Sequence, residues 1–135
     1  TPKKIYKIES KILYKAIKLL LESYNLKKLD AKKVSQYLVD ADLCGQGSHG
    51  VARIPLYIGK VEKKEINVNA KSKIYNETAT TAQIDGNWGF GQLSADKAIK
   101  LCIKKALKNN IKLEKNLYEE MCIKLVNKIV PNNIN

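Results

Sequence analysis

No stretch of this chain approaches the roughly 18 to 20 consecutive apolar residues of a membrane span, and its first residues lack the basic-then-apolar layout of a signal peptide. The expectation is a cytoplasmic protein. Cysteine is scarce: Cys44, Cys102 and Cys122 are odd in number, widely separated and without a C-x-x-C pair, which argues against a disulfide framework or a zinc site. Reduced thiols, mostly buried, are expected. At 135 residues the chain has length for one domain with one core, and is short for a complete enzyme with a dinucleotide cofactor.

Acidic residues are outnumbered 13 to 25 by basic ones, giving a formal charge of +12. That charge alone points towards polyanions. Yet the lysines are dispersed in pairs such as Lys3-Lys4, Lys32-Lys33 and Lys104-Lys105, as on solvated helix faces, so no specific nucleic-acid partner is implied. Salt-sensitive, nonspecific polyanion binding is the electrostatic alternative.

Arginine and histidine are nearly absent, and their placement is the best clue to function. The one arginine, Arg53, lies four residues after the one histidine, His49, in the run Gly47-Ser48-His49-Gly50-Val51-Ala52-Arg53-Ile54-Pro55-Leu56-Tyr57. Imidazole accepts and donates protons near neutral pH, and guanidinium grips a carboxylate through two parallel hydrogen bonds that lysine cannot supply. If the stretch from Gly50 is helical, His49, Arg53 and Tyr57 share one face, with Ser48 as N-cap. Such a corner suits a small carboxylate carrying an oxidisable hydroxyl. Pro55 falls inside that helix, so it either kinks there or begins nearer Pro55. Taken alone, these residues also fit any loop turning into a helix. A serine-hydrolase reading lacks the Gly-x-Ser-x-Gly elbow.

Elsewhere, Leu13, Ala16, Ile17, Leu20 and Tyr24 recur at helical spacing, and Val34, Leu38 and Ala41 mark a second helix capped by Asp30. Ile66, Val68 and Ala70 alternate with polar residues, and the Thr-rich run to Ile84 favours extended backbone, so two or three short strands are predicted over 66–84. The turn Asp85-Gly86-Asn87-Trp88-Gly89-Phe90-Gly91-Gln92 holds the only Trp and Phe and reads as an aromatic-stapled turn rather than a phosphate cradle. A long helix follows over 94–107, with an apolar stripe of Ala95, Ala98, Ile99, Cys102, Ile103, Ala106 and Leu107. A last helix carries Leu117, Met121, Leu125 and Ile129 and stops at Pro131.

The order of two segments carries a resemblance. Val39 to Tyr57, read as Val-Asp-Ala-Asp-Leu-Cys-Gly-Gln-Gly-Ser-His-Gly-Val-Ala-Arg-Ile-Pro-Leu-Tyr, resembles a stretch of the malate/L-lactate dehydrogenase family of the type-2, non-Rossmann class. Ala82 to Gln92, followed by Ala95 and Ala98-Ile99, resembles the next block of the same family at the expected distance. The resemblance spans roughly residues 8–111.

It implies an α/β fold of helices packed around a small mixed sheet, non-Rossmann, in a single domain over 1–135. By position it makes His49 the acid/base beside Ser48, Arg53 the substrate carboxylate clamp and Tyr57 an aromatic lining residue. NAD or NADP is the implied cofactor, a 2-hydroxy or 2-keto acid the implied ligand, and a homodimer or a cofactor-supplying partner chain the implied assembly. No metal is implied. The family's central cofactor-binding block does not follow Asn110-Ile111, while residues 112–135 resemble the family's C-terminal helix. On that reading the chain is a substrate-side domain without its cofactor domain, inactive as an isolated chain. Cys44 stands where the family often has arginine, and Gly47 where a polar residue commonly precedes the serine. The alternative is a catalytically inactive homologue serving as a dimerisation or binding module.

Overall fold

A computed structural model describes residues 7–109. The predicted last helix, its Pro131 stop and Cys122 lie outside the described residues.

Helix α1 (Ser10–Ser23) presents Leu13, Ile17 and Leu21 at four-residue spacing, and Ile17 and Leu21 are buried. It ends where Asn25 turns left-handed (φ 66), so that the Asn25 N–H donates to Glu22 O (3.0 Å) and the Leu26 N–H to Leu21 O (3.1 Å). This pair of bonds satisfies carbonyls that the helix end leaves open, and it presses Leu26 onto Leu21. Helix α2 (Lys28–Leu43) follows at once and packs back on α1 through Ala31, Val34, Leu38 and Val39. Its N-cap is Lys27, not Asp30 as expected. The tight turn at Asn25 commits the chain to helix three residues early. Asp30 instead lies in the first turn, where its charge favours the helix dipole.

Helix α2 closes with the same device. Gly45 adopts φ 78, and the Gln46 N–H donates to Ala41 O at 2.8 Å. Two single 3-10 turns follow, Gly47–His49 and Val51–Arg53, and only then helix α3 (Ile54–Glu62), with Pro55 in its first turn. The predicted helix from Gly50 is therefore corrected to the start nearer Pro55. The proline lacks an N–H and suits the first turn, so nothing kinks. Lys64 ends α3 in the left-handed region (φ 60), with the Glu65 N–H donating to Lys60 O at 2.9 Å.

Two short strands form, as expected, but neither lies at the alternation of Ile66, Val68 and Ala70. Among the described residues these are β1 (Lys73–Tyr75) and β2 (Gln83–Asp85), paired antiparallel with Ile74 opposite Ile84. Ile66 to Ala70 is a turn: Asn67 Oδ1 accepts the Asn69 N–H (3.0 Å) and Asn67 O the Ala70 N–H (3.1 Å). An asparagine side chain binding its own backbone outcompetes a strand with no neighbour to pair with. The expected mixed sheet is thus one exposed antiparallel ribbon, and the helices pack on each other rather than around it.

Helix α4 (Gly91–Lys108) starts three residues before the predicted position and sits against α2. The contact is polar: Asp96 accepts from Lys33 (2.7 Å) and Tyr37 (3.1 Å) on α2 and from Lys100 (2.9 Å) on its own helix. Burial alone raises the Asp96 pKa. The hydrogen bonds from Lys100, Lys33 and Tyr37 outweigh that and hold it below its ordinary value. The expected apolar stripe of α4 is only partly covered. Ala106 is buried, while Leu107 is 65% exposed and Cys102 is exposed, as is Cys44, which corrects the expectation of buried thiols. Phe90, just before α4, joins the core of α1 and α2 at 2% exposure. Among the described residues, no helix is long and apolar enough to cross a membrane.

Candidate active site

Gly50 joins the two 3-10 turns, and it is buried against α2. A Cβ there would lie 1.9 Å from Asp42 Oδ1, closer than atoms can approach. The contact exists because Asp42 Oδ2 accepts the Val51 N–H at 2.9 Å, tying the last turn of α2 to the second 3-10 turn. Glycine at position 50 lets the carboxylate reach across the backbone. Asp42 is a positioning residue that sequence reasoning passed over, although an acidic residue at a helix end ahead of a glycine-rich loop is a usable signal.

The anchored loop brings three of the predicted residues into one cluster. Ser48 Oγ lies 2.8 Å from His49 Nδ1, and Arg53 Nε donates to Ser48 O at 2.7 Å. Ser48 is therefore no helix N-cap, since it lies inside the first 3-10 turn with its hydroxyl on the imidazole. Two consequences follow from atom roles. When Nδ1–H donates to Ser48 Oγ, Nε2 is left bare and able to take a proton. With Nε held by the loop carbonyl, Arg53 keeps its two terminal nitrogens as an end-on fork. Arg53 forms no ion pair among the described residues.

Tyr57, on α3, packs edge-on to Phe90 with ring centroids 5.7 Å apart, and its hydroxyl accepts from Gln92 Nε2 at 3.0 Å. These residues wall a cavity of about 950 Å³. Arg53, at the end of the second 3-10 turn, and Leu56, Tyr57 and Lys60 on α3 contribute one side, and the segment from Asn87 to Gln92 contributes the other. The turn is held in place by the Asn67 N–H donating to Trp88 O (2.8 Å) and by Gly89, where a Cβ would meet Ala70 Cβ at 2.6 Å.

The expected convergence of three polar tips is thus realised in two overlapping pairs. Arg53 and Tyr57 share the cavity wall, while Ser48 and His49 are joined to the loop side of Arg53 and do not line the cavity. The expected aromatic staple holds for Phe90 only, because Trp88 is 84% exposed. Among the described residues, no group of three or more His, Cys, Asp or Glu side chains is placed to hold a metal ion.

Known proteins are similar to this chain in sequence and in fold. Residues 8–113 match the malate/L-lactate dehydrogenase family. The L-sulfolactate dehydrogenase of Methanocaldococcus jannaschii is 42% identical over 87 residues, covering 64% of this chain and 25% of that protein. The malate dehydrogenase of Pyrococcus abyssi is 44% identical over 82 residues, covering 61% of this chain and 23% of that protein. Among solved structures, malate dehydrogenase from Entamoeba histolytica superposes with a TM-score of 0.75 at 32% identity, covering 78% of this chain and 29% of that one. The sulfolactate dehydrogenase structure from M. jannaschii gives a TM-score of 0.71 at 39% identity, covering 73% and 29%. The chain spans less than a third of the length of each of these relatives.

Proposed function

Because the chain belongs to the malate/L-lactate dehydrogenase family, we propose that it carries the substrate-side half of an NAD(P)-dependent oxidoreductase for 2-hydroxy acids of the malate and lactate type. His49 is its acid/base, Ser48 sets the imidazole tautomer, and Arg53 clamps the substrate carboxylate. The observation that carries this reading is the Ser48–His49–Arg53 cluster, in which one backbone segment holds both a proton acceptor and a planar cation.

The roles follow from the free valences. The terminal nitrogens of Arg53 face a carboxylate end-on, which fixes the substrate by two parallel bonds. His49 Nε2, bare when Ser48 accepts from Nδ1, takes the hydroxyl proton as a general base. Tyr57 and Phe90 give the pocket an apolar floor with one hydroxyl. NAD or NADP, when bound, accepts the hydride that leaves C2 of the substrate. The cavity is larger than a three- or four-carbon acid needs, and Lys60, Lys64 and Trp88 in its lining suit the phosphate and ring of a nucleotide. Tight cofactor binding is assigned to the further length that the relatives possess, in the same polypeptide, in the second subunit of a homodimer or in a partner chain.

The alternative, an inactive dimerisation or binding module, draws support from the outer face of α1. There Ile12 (60% exposed) and Leu19 (53%) lie opposite the buried Ile17 and Leu21.

Calorimetric titration of the chain with L-malate, L-lactate and their keto acids, beside fluorescence titration with NADH and NADPH, separates the readings. The proposal expects acid binding that Arg53→Lys weakens, no tight cofactor binding and no turnover by this chain alone. Tight cofactor binding with turnover makes this a compact dehydrogenase. Failure to bind any of the acids, with self-association through α1, favours the module.

A further inference from the structure

The one tryptophan of the chain is also among its most exposed side chains. Trp88 is 84% exposed, and its indole N–H has no hydrogen-bond partner among the described residues. Its backbone is left-handed (φ 57), as is that of Asn87 (φ 49), and the Gly89 N–H donates to Gly86 O at 3.0 Å. Both central residues of this tight turn lie where glycine or asparagine normally sit, so a bulky ring at the second is held against its own backbone preference. Folding gains almost nothing from it. Phe90, two residues on, does the packing. Strain retained without a structural return motivates a search for a ligand.

The surroundings define the ligand. Trp88 lines the cavity that Arg53 and Tyr57 wall, together with Leu56, which is 46% exposed, and with Lys60 and Lys64. An exposed apolar ring and two lysines that form no ion pair among the described residues, lining a cavity that Arg53 also lines, suit a planar ring attached to a phosphate. We propose that Trp88 is a stacking platform for the nicotinamide ring of a nucleotide entering this cavity, with Lys60 and Lys64 meeting its phosphate. The inference rests on the proposed dehydrogenase reading, which requires that ring to lie beside the acid held by Arg53. It adds a contact made by this chain's own residues, weak by itself, to a cofactor whose tight binding lies elsewhere.

The single tryptophan supplies a single indole N–H signal, and the single arginine a single Nε–H signal, in the nitrogen–proton spectrum of the labelled chain. Nicotinamide mononucleotide, AMP and inorganic phosphate are titrated in turn, then L-malate. The expected result is a saturable upfield ring-current shift of the indole signal with nicotinamide mononucleotide, a weaker response to AMP and none to phosphate. Followed on backbone amides of the turn, Trp88→Phe retains most of the affinity, whereas Trp88→Ala weakens binding by roughly ten-fold, in line with the loss of one stacking contact. An indole signal unmoved by nicotinamide mononucleotide overturns the proposal, as does equal binding by Trp88→Ala. A stronger response to AMP overturns the nicotinamide assignment in favour of adenine. If L-malate moves the Arg53 signal while the mononucleotide leaves the indole alone, the platform fails and the dehydrogenase reading stands. If neither signal moves with its ligand, that reading falls as well.

Discussion

Replacing Gly50 by alanine tests the physical basis of the candidate site with a one-carbon change. The new Cβ would sit 1.9 Å from Asp42 Oδ1 and 2.2 Å from Cγ, so the carboxylate must swing away from the Val51 N–H that it now accepts at 2.9 Å. Losing a hydrogen bond to a charged acceptor costs about 1.5–3 kcal/mol. Residual crowding of a buried backbone adds to this, for a total of about 2–4 kcal/mol. For a small domain that is a large share of its stability. Asp42→Ala alone forfeits the same bond and should lose about 1.5–3 kcal/mol. In the Asp42→Ala background the obstacle is gone, so Gly50→Ala should add less than about 1 kcal/mol. Urea unfolding of the four proteins in this cycle measures the coupling directly. Near-additive losses would refute the argument that Gly50 is required by the Asp42 carboxylate, and so would a Gly50→Ala protein as stable as the parent.

Other expectations follow from the same coordinates. Trp88→Gly removes a side chain that is 84% exposed from a left-handed residue, and should raise stability by about 1 kcal/mol while abolishing the ring contact; a lower unfolding midpoint would contradict the strain. Asp96 has a folded pKa below its ordinary value, so its contribution is present above the unfolded carboxyl pKa of about 3.9 and is lost as pH falls through the folded value. Asp96→Asn should therefore lose about 1–2 kcal/mol at neutral pH, discounted for the exposed lysines, and the deficit should shrink in acid. A deficit equal at neutral and acid pH, read from unfolding curves, would count against the α2–α4 ionic link. Arg53→Lys should bind L-malate at least about ten-fold more weakly with unfolding unchanged, because the charge survives and the fork does not.

The three long helices were legible in the sequence because their apolar residues repeat at helical spacing, and the Gly47–Tyr57 run was legible because rare residue types gather there. Helix ends were less so. Lys64 and Trp88 adopt left-handed backbone that their side chains disfavour, and no composition rule announces it. The Asp42–Gly50 contact joins two elements whose closeness only packing reveals. The alternation at Ile66, Val68 and Ala70 forms no strand because it competes with an asparagine turn and lacks a partner strand. The stripe on α4 was read correctly as a pattern, but a pattern does not say what covers it: α4 meets α2 through the Asp96 contacts, leaving Leu107 at 65% exposure. His49 and Arg53 do not share one helix face because two 3-10 turns, not one helix, carry the pair.

The most direct test of the central claim follows the single imidazole and the single guanidinium by nuclear magnetic resonance while L-malate or L-lactate is added. If Arg53 clamps the carboxylate beside His49, the acid shifts both the Arg53 side-chain signals and the His49 ring signals in a saturable way. Both responses should fade in Arg53→Lys. Signals that stay still at saturating acid would contradict a 2-hydroxy acid site built on these residues.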